Sequence, residues 1–518
     1  MKKIFTLLSL AMASITSMAQ TTTELQSALA VLVNGNPADP QQKVVTTIED
    51  NGKYTLQLKD FILYTQGSPM PVGTITVEGI ESETVDGTTI IKTTQDITIA
   101  SGSDDSQMWM GPFLGVVPIT LDGTITNGVL KASLDIPFGE LQINVFINSA
   151  ATQLENSGFE YWHTATYSNM TSDEPNRWHS FMSSGGPLAS AVAGNIHTYI
   201  SDDVRPGSEG QKSVKLQSCS VMGFISANGT LTTGRLNAGS MSADNADNHS
   251  FIDMTNNDVD GNGDPFYSKI EGRPDSLVVW LKFHPGAKNK NPQALISAVL
   301  TDGTYYQDPE DANTTYNNIA AKAYSNTIES NGEVWQRISL PFDYETYQAN
   351  NVSPRALLVT ISTCATPGGG STSSSDPDVL YIDDFSLIYN SRIKGISVSG
   401  KEIADFNPNT TTYDVEVDEA PAVSDIVCTK ASEEQVVNVT IEENVAKVLV
   451  ISGDLKSFAV YTVNIKVKEQ SGVDTINTAS DKNVINTYGI NGQLVPAGAK
   501  APVLIRKYSD GTVKKSVR

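Results

Sequence analysis

Short runs that alternate apolar and polar residues fill the first part of the chain. They include Tyr54-Leu56-Leu58, Ile75-Val77, Ile97-Ile99, Ile119-Leu121, Leu130-Ala132-Leu134-Ile136 and Leu141-Ile143-Val145-Ile147. Period two sends successive side chains to opposite faces, so each run predicts a half-buried strand. Asn51-Gly52, Asp86-Gly87, Asp122-Gly123 and Asn127-Gly128 punctuate them, and such pairs supply the positive φ that tight hairpins need. Residues 20–150 therefore predict an up-and-down sheet, and closing it into a barrel removes its edges.

Residues 153–390 carry a second strand pattern, with longer polar loops. Its runs include Ser213 to Gln217, Ser276 to Phe283, Ala294 to Leu300, Trp335 to Leu340 and Ala356 to Ser362. Gly158-Phe159-Glu160-Tyr161-Trp162 and Leu380-Tyr381-Ile382-Asp383-Asp384-Phe385 bracket the block and read as the first and last strands of one jelly-roll β-sandwich. Residues 392–468 alternate cleanly at Tyr413-Val415-Val417, Val437-Val439-Ile441 and Tyr461-Val463-Ile465-Val467, which predicts a small immunoglobulin- or cadherin-like sandwich. A polar linker, 470–482, precedes a hairpin-rich tail, 483–518. The fold class expected is all-β throughout.

The N-terminus changes the picture of where the chain works. Lys2 and Lys3 precede an apolar stretch from Ile4 to Ile15, and Ser17-Met18-Ala19 offers small residues for cleavage. Residues 1–19 thus predict a signal peptide, and the apolar run is short of the roughly 20 residues a membrane span needs. The expected product is exported: periplasmic, cell-surface or secreted, with no transmembrane segment. The 518 residues include 35 basic and 58 acidic side chains, a formal charge of −23. That balance argues against nucleic acid, whose phosphates need Lys and Arg, and suits a neutral ligand such as a sugar. Three cysteines, Cys219, Cys364 and Cys428, make no disulfide framework. Cys219 and Cys364 could pair; free thiols are the favoured reading.

Several segments resemble known families. Asn51 to Phe61 and Val72 to Val77 resemble the calycin-like β-barrel domains of exported proteins from Bacteroidetes-type bacteria. Members often hold small apolar ligands; a lumen packed with side chains is the favoured expectation here. Asn156 to Trp162, Asn176-Arg177-Trp178, Gly272 to Leu277, Phe283-His284-Pro285-Gly286 and Leu380 to Phe385 resemble, in order, the family called the "putative carbohydrate metabolism domain". That resemblance implies a jelly roll like those of carbohydrate-binding modules. Ile396 to Gly400 and Phe406 to Tyr413 resemble the bacterial cadherin-like sandwich, which implies a spacer. Val484 to Val495 and the basic end Lys514 to Arg518 resemble C-terminal sorting tails of the same phylum, although Ala501 to Ile505 replaces the usual Gly-Ile-Tyr; a short capping domain is the other reading.

Candidate chemistry is sparse. Glu160 and Asp384, on the two bracketing segments, are expected to hold one structural Ca²⁺, or else to be solvated or ion-paired carboxylates. Asp258, Asp260, Asn262 and Asp264 occupy alternate loop positions with Gly263 between the last two, as in a calcium loop, but Lys269 stands where the bidentate Glu belongs. Tyr161, Trp162 and Trp178 are the candidate sugar-stacking residues, set beside polar loops, while Trp280 and Trp335 are assigned to the core. The five histidines, at 163, 179, 197, 249 and 284, show no metal-ligand spacing. Gly395 to Lys401 spells a phosphate loop, but Glu402 replaces its hydroxyl residue. Neither G-x-S-x-G nor H-E-x-x-H occurs. The function expected is a non-catalytic protein binding a glycan or cell-surface ligand through the central jelly roll. The alternatives are a glycoside hydrolase or lyase on the same scaffold and a structural adhesin.

Overall fold

The computed structural model describes residues 20–65, 68–468, 483–509 and 511–517. The expected signal peptide and the linker 470–482 lie outside the described residues.

Eight strands, Thr21–Val33, Gln41–Asp50, Lys53–Thr65, Ser68–Val85, Thr88–Thr98, Val116–Thr126, Val129–Phe138 and Leu141–Asn148, pair antiparallel in chain order. Thr21–Val33 then pairs with Leu141–Asn148, from Ala28 opposite Asn148 to Val33 opposite Ile143, and closes the barrel. Asn51-Gly52, Asp86-Gly87 and Asn127-Gly128 adopt positive φ at both positions, the geometry that matches strand twist in two-residue hairpins. Asp122-Gly123 departs from the expectation: it lies inside the strand Val116–Thr126. A Cβ at Gly123 would meet Ala132 at 3.0 Å and Ile91 at 3.1 Å, so glycine there permits close strand packing. The lumen is filled by side chains such as Leu56, Leu58, Val77, Ile80, Leu121 and Leu134.

The central block is a two-sheet sandwich. One sheet orders Thr198–Ser201, Ser213–Gln217, Val379–Ile388, Ser276–His284 and Gln336–Pro341; the other orders Thr230–Thr232, Ala356–Ser362, Gln293–Thr301 and Ile319–Glu329. Alternate residues of both meet in one core that includes Leu216, Leu281, Phe283, Ile296, Leu357 and Ile382. A third layer, Arg235–Ala238, Asn248–Ile252 and Tyr306–Asp308, was not legible from the pattern. Ile252 and Tyr306 of that layer pack with Val299 and Leu358 on the outer face of the four-stranded sheet.

The bracketing segments differ from their expected form. Residues 155–158 form a turn and Phe159 to Tyr161 lie outside any strand. Trp162–Tyr167 pairs only with Met170–Pro175, as a separate hairpin. The links from the entry segment to the closing strand are a hydrogen bond from Phe385 N–H to the Ser157 carbonyl and a two-bond clamp of the Gln153 side chain on Leu387. Asp384 sits there with φ 45°, at an irregularity where Val278 faces Ser386 but Trp280 faces Asp383.

The smaller sandwich follows with strands Ile393–Val398, Lys401–Glu402 and Ile426–Lys430 in one sheet and Thr412–Val417, Phe458–Val467, Val445–Ile451 and Val436–Glu442 in the other. It does not stand apart. Ala28, Ala30 and Leu32, on the outward face of the first barrel strand, are buried against Leu449, Ile451 and Leu455. Asn148 donates across the joint to the Gly453 carbonyl at 2.8 Å. Glu434 joins three bodies: one oxygen lies 3.5 Å from Lys131 of the barrel, the other accepts the Arg273 N–H of the large sandwich at 3.0 Å. The tail, described by itself, is a four-stranded antiparallel sheet of Leu494–Val495, Val484–Gly489, Val503–Tyr508 and Val513–Val517. No helix among the described residues is long and apolar enough to cross a membrane.

Leu32 is fully buried in the joint, so Leu32→Ala should cost about 2–5 kcal/mol of unfolding free energy. Urea unfolding followed by tryptophan fluorescence checks this. An unchanged midpoint would show that the barrel and small sandwich do not support one another.

Candidate functional site

Two places in the large sandwich carry chemistry: a buried polar cluster under the first hairpin and a cleft over the four-stranded sheet.

The cluster is built by strand register and one strained turn. His163 and Glu174 face each other across the hairpin. Arg177 then turns the chain with φ 68°, a conformation that costs a non-glycine residue roughly 1–2 kcal/mol. Asp264 holds that turn: its carboxylate accepts the Arg177 N–H at 3.0 Å and lies 3.3 Å from Nε. Trp178 is wholly buried, its ring 5.1 Å from Phe159 and 5.7 Å from Phe385. This anchors His179, whose N–H and carbonyl both bond to Thr232 and whose ring packs on Phe266 at 4.6 Å.

The loop from Asp258 to Asp264 closes the cluster. Asp260 Oδ1 accepts the N–H groups of Asn262 and Asp264, at 2.9 and 2.8 Å. Its Oδ2 lies 3.4 Å from His163 Nε2 and 3.5 Å from His179 Nε2. Glu174 Oε1 accepts from Ser180 N–H and Ser183 Oγ, at 2.5 and 3.0 Å, while Oε2 lies 3.9 Å from His163 Nε2. Asp264 approaches the same place, and one ligand atom each from His163, Asp260 and Asp264 lies within 4.8 Å of the others.

The residues singled out from the sequence divide accordingly. Asp260 and Asp264 enter the cluster. Asn262 Nδ2 donates to Asp264, and Asp258 points away to pair with Arg235 at 3.4 Å. The carboxylates of Glu160 and Asp384 are both met by protein donors from the Arg205–Lys212 loop. Glu160 accepts the N–H groups of Gln211 and Lys212 at 2.9 Å. Asp384 accepts Arg205 Nε at 2.5 Å and Ser208 Oγ at 3.1 Å. Tyr161 is 70% exposed and offers a ring to solvent. Trp162 is half-buried, its Nε1 donating to the Phe159 carbonyl at 2.6 Å. Trp178 is corrected from the surface to the core: at zero exposure it has no face for a ligand. Trp280 and Trp335 are corrected the other way. Both are half-buried on the outer face of the five-stranded sheet, outside the core, Trp280 under the Arg205 guanidinium and Trp335 donating to Asp203. The histidines gave no signal because their convergence depends on hairpin register and a distant loop.

The cleft has a volume of about 310 Å³. Its walls include Phe181, Leu188, Val192 and Leu236; Met222 and Met241 stand at its edge, both more than half exposed. Tyr324, Thr360 and Ser362 present the outer face of the four-stranded sheet to it. Asp308 is the one carboxylate among its described lining residues. Burial pushes the Asp308 carboxyl up, against the pull of a Ser297 hydrogen bond and the Lys322 charge. All three cysteines are free: Cys364, at the cleft, is buried, and Cys219 and Cys428 are half-buried.

Residues 26–148 match the family model described as a calycin-like beta-barrel domain. A solved structure from Bacteroides vulgatus ATCC 8482, titled a "putative glycoside hydrolase", is 19% identical, covers 45% of this chain and 96% of its own, and superposes with a TM-score of 0.32. A structure of promiscuous carbohydrate-binding modules from the β-sandwich superfamily is 8% identical, covers 72% of this chain and 99% of its own, with a TM-score of 0.19. At these scores neither likeness bears on activity. No curated protein matches the chain.

Two outcomes test the local structure. Trp178→Ala should destabilise the protein by about 3–5 kcal/mol, since the ring fills the space between Phe159 and Phe385. Denaturant melts measure it, and a loss below about 1 kcal/mol would contradict the packing. Asp383 gives a pH test. Burial pushes its carboxyl up to about 6, partly offset by the Arg205 N–H and reinforced by the Asp384 charge. A raised carboxyl means the folded state holds the proton better than the unfolded chain. That stability is complete below the unfolded value and is lost as pH rises through about 6. Asp383→Asn, neutral at every pH, should raise Tm at neutral pH and flatten the decline. An equal Tm change at acid and neutral pH would refute it.

Proposed function

We propose that this chain is an exported, non-catalytic protein whose large sandwich binds a glycan or another compact cell-surface ligand in the cleft over its four-stranded sheet. The observation that carries the reading is the make-up of that cleft. It is of small-ligand size and largely apolar, with Tyr324 exposed and hydroxyls at Thr360 and Ser362. Apolar walls suit the C–H faces of a sugar, and a fixed ring costs little entropy on binding. Glycoside hydrolysis uses a pair of carboxyl groups about 5–10 Å apart, whereas Asp308 is the one carboxylate among the described lining residues, its neighbour Glu310 standing outside them. The barrel, packed with its own side chains, acts as a structural partner, the small sandwich as a spacer, and the tail as a sorting element.

A second face has its own support. Tyr199, Tyr381 and Trp335 share the outer side of the five-stranded sheet with Lys215 and Lys282; Lys282 lies 4.1 Å from the Tyr381 ring and Lys215 5.9 Å from those of Tyr199 and Tyr381. Lys282 is ion-paired with Asp203, so the row offers chiefly aromatic faces, which suit an extended polysaccharide.

A glycan array with the full chain, followed by calorimetry and product analysis, separates these readings. Tyr324→Ala should weaken cleft binding by about 5–30-fold, roughly 1–2 kcal/mol, with an unchanged melt. Loss with Tyr381→Ala and not with Tyr324→Ala would move the site to the other sheet. Release of reducing ends, abolished by Asp308→Asn, would overturn the non-catalytic reading.

A further inference from the structure

The buried cluster holds polar atoms with nothing to bond to. His163 Nε2, Glu174 Oε2, His179 Nε2 and Asp260 Oδ2 are all buried without a hydrogen-bond partner. The side chains of Glu174, His179 and Asp260 have zero exposure and that of His163 has 9%. An unpaired buried carboxylate oxygen costs several kcal/mol, so two of them beside two imidazoles need a common explanation.

Ion pairing within the cluster explains it poorly. A protonated imidazole bonds a carboxylate at about 2.7–2.9 Å, whereas the separations here are 3.4, 3.5 and 3.9 Å. The two shorter separations, both to Asp260, suit atoms that share a cation. Ligands about 2.0–2.2 Å from a tetrahedral metal lie roughly 3.3–3.6 Å from one another. The outer atoms of Asp260, Glu174 and His163 agree, while His179 Nδ1 is buried without a partner. Each carboxylate has one oxygen fixed by two donors and the other turned inward: Asp260 by Asn262 and Asp264, Glu174 by Ser180 and Ser183. His163 Nδ1 lies 3.1 Å from Asn176 Oδ1. Donating there leaves its Nε2 lone pair facing the cluster, the arrangement metal-bound imidazoles adopt.

We propose that His163, Asp260 and Asp264, whose ligand atoms lie within 4.8 Å of one another, form with the adjoining His179 and Glu174 a structural site for a first-row divalent metal of the zinc class. Two imidazoles favour such an ion over Ca²⁺, which takes oxygen ligands. The site is buried, so its work is to tie the hairpin Trp162–Tyr167 and Met170–Pro175, the His179 segment and the 258–264 loop into one unit.

The test uses the full chain. Elemental analysis of protein purified without chelator should find about one equivalent of zinc-class metal per chain. Stripping it should lower Tm, and Zn²⁺ but not Ca²⁺ should restore it. Co²⁺ should give the visible absorption of a four-coordinate site. His163→Gln and Asp260→Asn should weaken Zn²⁺ binding by at least about 100-fold, and Asn176→Ala by about 10–100-fold. The Co²⁺ spectrum and Asn176→Ala keep the test decisive if a ligand variant does not fold. A metal-free protein whose melt ignores chelator and Zn²⁺, or a Zn²⁺ response retained in both ligand variants, overturns the site.

Discussion

Trp178 locked between Phe159 and Phe385 is the contact on which the organisation of the large sandwich rests. Its three rings come from the entry turn, the segment after the first hairpin and the closing strand. With the Gln153 clamp on Leu387, it holds the two ends of a long block together, which the first hairpin, paired only with itself, does not. The same ring fixes the residues on either side of it. Arg177 is left in a strained turn that Asp264 stabilises, and His179 is turned toward Asp260. Packing and chemistry are therefore consecutive residues of one segment, and loosening the first would misplace the second.

A comparable economy governs the larger assembly. The first barrel strand is buried on both faces over Ser27 to Leu32: Leu29 and Val31 fill the lumen, Ala28, Ala30 and Leu32 cover the small sandwich. Small residues at two of the three outward positions let the two sheets approach closely. Glu434 then meets Lys131 and the Arg273 N–H at once. A carboxylate with a charged partner on one oxygen and a backbone donor on the other is worth more than an exposed ion pair, which typically contributes less than about 1 kcal/mol. The barrel, the large sandwich and the small sandwich consequently constrain one another around that residue.

The sequence was most readable where one local rule decides the outcome. Strand alternation and Asn-Gly or Asp-Gly turns placed most of the barrel, because register and turn type are short-range properties. Asp122-Gly123 misled for the same reason: the dipeptide marks a turn locally, but the neighbouring Ile91 and Ala132 require a glycine within a strand. Aromatics were harder. Trp178 lies beside polar residues in the chain yet is fully buried, and Trp280 lies in an apolar run yet is only half-buried, since the face each occupies depends on tertiary packing. The calcium-loop pattern drew attention to Asp260 and Asp264 for their spacing, while their histidine neighbours come from far away in the chain and carry no spacing signal at all.

The cluster and the cleft are connected through one short stretch of backbone. Glu174 Oε1 holds Ser180 N–H and Ser183 Oγ, and Phe181, between them, is a wall of the cleft. The Gly185 N–H and carbonyl then pair with the third layer at Leu236 and Ala238, and the short helix Ala189–Ala193 continues the wall. Anything that fixes Glu174 from its inner oxygen therefore also fixes the cleft wall from its outer one. For the binding proposed above, a wall made of loops needs such support, because ordering loops at the moment of binding would subtract from affinity. A buried cation is a compact way to provide it in a chain with no disulfide to staple the same loops, where Cys219 and Cys364 both remain thiols.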